Sequence, residues 1–262
     1  MGSNTHTIPG IYNFCDRWCE KCKYTNRCSL FLTETQSEVD LILSDEDIND
    51  PDVYSKIMRD SLHKSFNKIL NEKDDENIDK YIDDDFSERF FGEDEDLNED
   101  EDDYEDYEEI IAEENKFRNA EHPLIEKSEK FFKDVFAYHD ANKDKFYEMK
   151  KTEDTTNPFH QSRDTLFWYS PQIHIKIRMC FYSLEKLKRD IVNEFETEMM
   201  NVNSRIAYTG MEKIIEALRQ LKKIKTEHEQ ILLLLLNSMT QIKEEFTEIF
   251  PEALTYKRPY FD

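Results

Sequence analysis

Glycine and proline are scarce in this sequence, which has only four glycines and seven prolines in 262 residues. β-Sandwiches and barrels need many tight turns, and these two residues usually supply them. The scarcity therefore argues against a turn-rich β architecture. Abundant Leu, Ile, Glu and Lys favour helices instead. The composition predicts an all-α protein.

Long apolar runs are also missing. The continuous run from Ile231 to Leu236 is far shorter than the roughly 18 residues that a membrane span needs. The first residues lack the basic region and apolar core of a secretory signal. We therefore expect no membrane segment and a cytoplasmic location. Clustered cysteines in that reducing compartment more often bind metal or do redox chemistry than form structural disulfides.

Motifs of the common enzyme classes do not occur either. Glu-x-x-His, with which di-iron bundles point two ligands inward from one helix, is found nowhere in the chain. A Gly-rich phosphate loop, a nucleophile elbow and meaningfully spaced catalytic carboxylates are likewise missing. His174 stands out because it lies in one helical row with Phe167 and Phe181, next to Pro171. We interpret it as a hydrogen-bonded histidine on a half-buried helix face.

Negative charge is concentrated in one segment. Residues 73–115 contain 23 acidic and three basic residues, so they contribute −20 of the formal net charge of −24. Such dense like charge opposes folding, and we expect an acidic disordered linker. The linker could attract a basic protein partner, but it lacks the spacing of an EF-hand calcium loop. Nucleic-acid binding is not favoured, because it requires a broad basic surface.

The acidic linker divides the chain. We predict a cysteine-rich metal-binding segment over residues 1–45, an amphipathic helix over 46–72, the linker over 73–115 and a helical bundle over 116–262. In the second of these, Asp50 followed by Pro51 is typical of an N-cap and a first helical residue.

Apolar residues at helical spacing predict four helices after the linker. His122-Pro123 opens the first, and Pro171 should kink the second. The third should begin near Ser204. Thr226 and Glu229 form a capping box that should begin the fourth. The core is expected to contain Leu124, Phe131, Val135, Tyr138, Leu166, Ile173, Ile177, Cys180, Leu184, Leu187, Ile191, Ala207, Met211, Ile214, Leu218, Leu221, Leu232, Leu235, Met239, Ile242 and Phe246.

The link between the third and fourth helices is very short, so these two should form an antiparallel hairpin. The four helices together predict an up-and-down four-helix bundle with a left-handed seam. The run Ile231 to Leu236 indicates that the last helix is buried on most sides.

Four of the five cysteines stand within fourteen positions, in the pattern C-x3-C-x2-C-x5-C of Cys15, Cys19, Cys22 and Cys28. If the first three lie on one helix, their spacing brings them to one face, and the following turn returns Cys28 to them. Four unmetallated thiolates at this distance would repel one another. We therefore predict one metal centre held by these four residues. Cys180 is interpreted as a small apolar residue of the core.

The cysteine spacing leaves two metal centres open, a [4Fe-4S] cluster and zinc. Consecutive ligands favour the cluster, although compact zinc knuckles also exist. The ten residues CEKCKYTNRC resemble the cluster-binding segment of CRISPR-associated RecB-like nucleases. This resemblance implies the type of cluster and no nuclease activity.

Three longer segments carry a wider resemblance: YNFCDRWCEKCKYTNRC, HPLIEKSEKF and FPEALTYKRPYFD. In this order they resemble an uncharacterised bacterial helical-bundle family. The resemblance covers most of the chain except residues 73–115 and implies one co-inherited unit, without an activity or a ligand set. The family's last segment usually reads R-P-G-F-D, so any tight turn there must be made by Tyr260 in this chain.

These observations predict a metal-binding helical-bundle protein, a redox-responsive or electron-transfer accessory that carries a four-cysteine [4Fe-4S] centre. One alternative is a non-catalytic protein-interaction module stapled by a structural zinc. Another is an oxidoreductase with a second site in the bundle near His174. A protein partner is compatible with each hypothesis.

Overall fold

The structure is a computed structural model. It describes residues 7–43, 121–144, 146–147, 157–188 and 194–262. The predicted helix over 46–72 and the predicted acidic linker over 73–115 lie outside the described residues.

The chain divides into two compact units. The first, here called the N-terminal unit, includes the described residues 7–13 and 17–43. The second, here called the helical unit, includes residues 14–16 and all described residues from 121 onward.

The described residues of the N-terminal unit form short turns followed by helix α1. The 3-10 turns Cys19–Lys21 and Thr25–Arg27 precede helix α1, Ser29–Leu43. Ile8 is buried, and its backbone N–H donates to the carbonyl of Arg27 at 2.9 Å. In helix α1, Leu32 and Val39 are exposed, whereas Leu30 and Phe31 are half-buried.

The helical unit contains four helices within the described residues: α2 (Pro123–Asp140), α3 (Pro158–Lys188), α4 (Glu194–Ile224) and α5 (Glu229–Ile249). Helix α2 packs on α3 and α5, and α4 also packs on α3 and α5. The part of the chain that the structure describes contains no strand, so the all-α prediction is confirmed. None of the helices described here is long and apolar enough to cross a membrane.

The apolar stripes lie in the core of the helical unit, as predicted. Leu184 and Leu187 are half-buried, and Ile191 lies outside the described residues. The other predicted core residues are buried: Leu124, Phe131, Val135, Tyr138, Leu166, Ile173, Ile177, Cys180, Ala207, Met211, Ile214, Leu218, Leu221, Leu232, Leu235, Met239, Ile242 and Phe246.

The helix boundaries agree with the sequence in one case and differ in two. His122 caps α2 by accepting a hydrogen bond from the Leu124 N–H at 3.1 Å. Helix α4 begins at Glu194, so the predicted start near Ser204 is wrong. Ser204 is buried within the helix, where its hydroxyl donates to the Asn201 carbonyl at 2.9 Å. A serine hydroxyl can form a hydrogen bond to the backbone inside a helix as well as at its N-cap.

Helix α5 does not begin at Thr226, where the predicted capping box would place its N-cap. The chain makes a 3-10 turn over Thr226–His228, and α5 begins at Glu229 with His228 as its N-cap residue. His228 makes no side-chain capping hydrogen bond. The 3-10 turn moves the helix start past the position that the capping box requires.

The leucine-rich run of α5 is buried on one side only, so the prediction of a helix buried on most sides is wrong. Leu232 and Leu235 are buried, whereas Leu234 is 65% exposed and Leu233 is 39% exposed. Positions three residues apart share a helix face, and α5 presents that face to α2 and α4. The intervening leucines point away from the core.

Helix α3 continues through Pro171 and lies close to α4 at Gly210. A Cβ atom on Gly210 would stand 2.9 Å from Cδ1 of Tyr169 and 3.3 Å from Cγ1 of Ile173. Contacts shorter than about 3.4 Å between carbon atoms are repulsive, so glycine permits this approach. The close packing holds Tyr169 in a fixed position.

Candidate functional site

The cysteine segment is a series of turns. The 3-10 turn Ile11–Phe14 precedes Cys15, and Arg17 adopts a left-handed backbone with φ of 59°. Trp18 follows with φ of −81° and ψ of 73°, while the Cys19 N–H donates to the Arg17 carbonyl at 2.9 Å. These values define an inverse γ-turn centred on Trp18. The chain therefore changes direction between the first two cysteines.

The predicted helix through Cys15, Cys19 and Cys22 is wrong. A left-handed Arg17 ends any right-handed helix that begins at Cys15, because the backbone hydrogen bonds can no longer continue. Cys22 has an extended backbone, with φ of −83° and ψ of 129°. Cys28 is also extended, with φ of −96° and ψ of 113°. The shared helix face expected for the first three thiols does not form.

All five cysteines are present as thiols. Cys15, Cys19, Cys22 and Cys28 are half-buried, whereas Cys180 is completely buried in α3. Burial raises the pKa of the Cys180 thiol, so this residue stays protonated and apolar. The interpretation of Cys180 as a core residue is confirmed.

The surroundings of the four N-terminal thiols suit metal ligation chemically. The Tyr24 N–H donates to Sγ of Cys22 at 3.4 Å, and such bonds to sulfur help to tune metal–thiolate centres. From Cys15 to Cys28 the chain has four basic and two acidic residues, a local net charge of +2 in a chain of −24.

The described side chains are not gathered around one point. Within residues 7–43 and the described ranges from 121 onward, no group of three or more His, Cys, Asp or Glu side chains is placed to hold a metal ion. The chemistry of the donor set fits a four-cysteine centre, but the arrangement does not yet form one. Metal binding by Cys15, Cys19, Cys22 and Cys28 stays a prediction.

Side chains of helices α3 and α4 donate hydrogen bonds to Asp16, the residue that follows Cys15. The Trp168 indole N–H donates to the backbone carbonyl of Asp16 at 3.2 Å. The Asp16 carboxylate accepts a short hydrogen bond from the Tyr169 hydroxyl and a longer one, 3.4 Å, from Nζ of Lys213. Lys213 also donates to the Tyr169 hydroxyl. We call Asp16, Trp168, Tyr169 and Lys213 the Asp16 clamp.

Tyr169 is the buried centre of the Asp16 clamp, with 1% of its surface exposed. Burial raises the pKa of Tyr169, and the hydrogen bond to the Asp16 carboxylate raises it further. The phenol therefore keeps its proton and remains a hydrogen-bond donor to Asp16. Nothing in the local sequence indicates this contact, because 153 positions separate the two residues.

A turn near the end of the chain forms a second polar cluster, here called the C-terminal turn (residues 258–262). Nε and Nη2 of Arg258 donate to the two carboxylate oxygens of Asp262 at 2.9 and 3.0 Å, and Nε of Arg205 donates to the same carboxylate at 3.1 Å. Tyr260 adopts a left-handed backbone with φ of 71°. Arg258 also donates to the Phe14 carbonyl at 3.4 Å. The tight turn thus forms with tyrosine at the position discussed above.

The charge state of Asp262 follows from these contacts. Burial by itself would raise the pKa of Asp262, but the hydrogen bonds and charge of Arg258 outweigh it and hold the pKa well below its usual range. The side chain of Arg258 is only 7% exposed. A buried arginine and an ionised carboxylate therefore neutralise each other inside the turn.

His174 behaves as a hydrogen-bonded, half-buried histidine, which confirms its interpretation. Its Nδ1 lies 3.0 Å from the Ser128 hydroxyl, and its ring stacks near Phe132 with 6.4 Å between centroids. Burial lowers the pKa of His174, and the charge of Arg178 lowers it further. These contacts explain the position of His174 in the fold.

A groove of about 1000 Å³ lies between α2 and the start of α5, and the sequence did not indicate it. At the groove, the Tyr138 hydroxyl lies 2.8 Å from Nδ1 of His228. Burial, together with the nearby Glu227 carboxylate, raises the pKa of Tyr138 to about 12. The exposed Leu234 and Ile231 form part of the lining. The groove is lined by residues of α2 and of the chain around the start of α5, which are far apart in sequence. Local sequence patterns therefore cannot predict it.

Two features of the chain bear on its function, the turns that hold the four N-terminal thiols and the Asp16 clamp beside the first thiol. No family model, curated protein or solved structure matches the chain.

Proposed function

We propose that Cys15, Cys19, Cys22 and Cys28 bind one [4Fe-4S] cluster and that the protein is a cytoplasmic redox-responsive or electron-transfer accessory. The observation that carries this proposal is the set of four half-buried thiols within fourteen positions, in a locally basic segment. Iron–sulfur clusters are commonly held by four cysteine thiolates.

Among the described residues, the four thiols are not gathered around one point, and the proposal requires them to come together when the metal binds. Metal ligands are rarely preassembled, because binding the metal and ordering the ligands are coupled. Cys22 and Cys28 each follow a single 3-10 turn, and short turns can rearrange at lower cost than a packed helix. On this proposal, the metal draws the thiols together and orders the segment.

The proposal includes an up-and-down four-helix bundle as the scaffold and membership in the bacterial family that the three segments resemble. The packing of α2 and α4 on both α3 and α5 supports the bundle. The hydrogen bond from Arg258 to the Phe14 carbonyl joins the first of the three resembling segments to the last. This contact supports the idea that the three segments are inherited together.

A second candidate function is a non-catalytic protein-interaction module in which zinc replaces the cluster. The exposed apolar residues of α5 favour it, since Leu234 is 65% exposed beside Leu233 and Ile231. Adjacent exposed apolar residues often mark a surface for a protein partner. An oxidoreductase site at His174 has no comparable support, because the contacts of that residue are already explained by packing.

Metal content after anaerobic purification tests the proposal. We expect iron and acid-labile sulfide near four per chain, as in a [4Fe-4S] cluster, with broad visible absorption. A colourless protein with one zinc per chain would replace the first candidate by the second. A protein with neither metal would contradict both.

Two matched alanine variants assign the ligands. Cys22→Ala should remove most of the bound metal, because loss of one thiolate weakens the centre as a whole. Cys180→Ala should keep the metal, since Cys180 lies fully buried in the core of the helical unit. Full metal content in Cys22→Ala would show that the four cysteines do not act together.

A further inference from the structure

The residues on both sides of Cys15 are held by donors of the helical unit. The Phe14 carbonyl accepts from Nη1 of Arg258 at 3.4 Å, and the Asp16 carbonyl accepts from the Trp168 indole at 3.2 Å. Both contacts are made to backbone atoms, so they restrict the path of the chain whatever the Cys15 side chain binds. Cys15 therefore stands on a short piece of backbone that is fixed at each end.

The side chain of Asp16 strengthens this attachment. Its carboxylate accepts from Tyr169 on α3 and from Lys213 on α4. Tyr169 cannot move freely, because it is 1% exposed and packs directly against Gly210. Side chains locked by packing on helices hold a neighbouring group more accurately than side chains on mobile loops.

We propose that the Asp16 clamp is a positioning device for Cys15, which sets the metal affinity of the four-cysteine centre and transmits metal binding to α3 through Trp168. This inference rests on the proposed function, because it requires that Cys15 be a ligand. Asp16 acts here as a positioning residue and does not touch the metal.

The expected size of the effect follows from the role of supporting groups around metal sites. Loss of a group that orients a ligand typically lowers metal affinity by about 10-fold to 100-fold. Asp16→Asn removes the negative charge that faces Lys213 while it keeps the size of the side chain. All four thiols remain in this variant, so the number of metal ions bound at saturation should not change.

Trp168 provides a direct signal for the transmission. The chain has two tryptophans, so Trp18→Phe leaves Trp168 as the only one. Its indole donates to the Asp16 carbonyl, which makes its fluorescence sensitive to movement of the backbone next to Cys15. Metal binding at Cys15 should change this emission in the Trp18→Phe protein.

The experiment titrates reduced, metal-free, full-length Trp18→Phe protein with Zn²⁺ against a competing chelator and records Trp168 emission. We expect one Zn²⁺ per chain with a change in emission. Adding Asp16→Asn should weaken Zn²⁺ binding about 10-fold to 100-fold and greatly reduce the emission change. Adding Glu34→Gln should alter neither, because it changes the exposed Arg17–Glu34 pair and leaves the Asp16 clamp and the four thiols in place. Circular dichroism checks that each variant is folded.

Tyr169→Phe is the second variant, for the case in which Asp16→Asn does not fold. It removes the hydroxyl that donates to Asp16 and keeps the ring that packs against Gly210. We expect the same direction of change as for Asp16→Asn.

Unchanged affinity and unchanged emission in a folded Asp16→Asn or Tyr169→Phe protein would overturn the positioning role and leave the proposed metal centre standing. Absence of Zn²⁺ binding in the Trp18→Phe protein would overturn this inference, and absence of metal in the purified native protein as well would overturn both proposals. These outcomes separate the failure of this inference from the failure of the proposed function.

Discussion

Two turns among the described residues hold a non-glycine residue in the left-handed region, and they are completed in different ways. The C-terminal turn at Tyr260 is closed by the Arg258–Asp262 pair, in which the side chains are 7% and 13% exposed. The turn at Arg17 is accompanied by the Arg17–Glu34 pair, in which the side chains are 48% and 53% exposed. Exposed pairs contribute roughly 0 to 1 kcal/mol, so they hold a strained turn weakly.

This difference extends to the units that contain the turns. The helical unit supplies its own partners for buried charge and its own apolar core. In the N-terminal unit, Ile8 and Ile11 are buried, while helix α1 carries exposed Leu32 and Val39. Among the described residues, the N-terminal unit therefore shows fewer buried apolar side chains than the helical unit.

The largest effect should come from breaking the core of the helical unit. Leu235→Ala should lower the free energy of unfolding by about 2 to 5 kcal/mol, because the truncated side chain leaves a cavity among α2, α4 and α5. Chemical denaturation followed by circular dichroism measures the change. Leu234→Ala is the matched control, since Leu234 is 65% exposed and its truncation should cost less than about 0.5 kcal/mol. Similar losses in the two variants would show that the leucine-rich run is not oriented as described.

A smaller effect should come from opening the C-terminal turn. Asp262→Asn removes the charge that accepts hydrogen bonds from Arg258 and Arg205, and hydrogen bonds to charged groups contribute about 1.5 to 3 kcal/mol. The free energy of unfolding at neutral pH should fall by about this amount. The measurement is urea denaturation of both proteins at several pH values.

The pH dependence gives this prediction a sign. The folded-state pKa of Asp262 lies below its unfolded value of about 3.9, so its contribution is fully present above that value and is lost as the pH falls through the folded pKa. The stability difference between native protein and Asp262→Asn should therefore be constant near neutrality and shrink in strong acid. A difference that grew on acidification would contradict the ionised, buried carboxylate.

Gly210→Ala should weaken the helical unit by about 1 kcal/mol. The added methyl group would stand 2.9 Å from Tyr169, and overpacking costs about 1 to 3 kcal/mol. Alanine has a higher helix propensity than glycine, and this difference offsets about 1 kcal/mol of the destabilisation. Thermal unfolding compares this variant with Glu216→Ala, which changes an exposed position on the same helix. We expect that control to change the free energy of unfolding by less than about 0.5 kcal/mol. A clear gain in stability for Gly210→Ala would mean that α3 and α4 are not in close contact.

Local sequence patterns predicted the helices well because burial of a helix face repeats every three or four residues. They failed where the answer depended on distant residues. The spacing of Cys15 and Cys19 suits a helix, but Arg17 is left-handed, and Asp16 is held by Trp168 and Tyr169 from α3. No local pattern reports a partner 153 positions away.

The errors at α4 and α5 have a related cause. Ser204 resembles a helix start, yet it lies buried inside α4 and bonds to the carbonyl of Asn201. The leucine-rich run of α5 indicates an apolar helix, but composition does not say how many neighbours surround it. Leu234 is exposed because the packing partners of α5 cover one face. The candidate ligands could be chosen from spacing alone, whereas the clamp beside Cys15 required the fold.

The smallest predicted effect compares the two left-handed turns directly. Glycine adopts this backbone without the steric cost of about 1 to 2 kcal/mol that other residues bear, although its greater freedom when unfolded costs about 0.5 to 1 kcal/mol. Tyr260→Gly should therefore be more stable than Tyr260→Ala by about 0.5 to 1 kcal/mol. The alanine variant is the control, because both changes remove the tyrosine side chain and only one removes Cβ.

The same pair of substitutions at Arg17 completes the comparison. If the Arg17 turn is held as weakly as its exposed ion pair implies, the alanine variant can relax out of the left-handed region and avoid much of the strain. The glycine advantage in the metal-free protein should then be smaller at position 17 than at position 260. Thermal unfolding of the four variants, measured under one set of reducing conditions, gives both differences. An equal or larger advantage at position 17 would show that the protein alone holds this turn rigidly, and the contrast between the two regions would have to be abandoned.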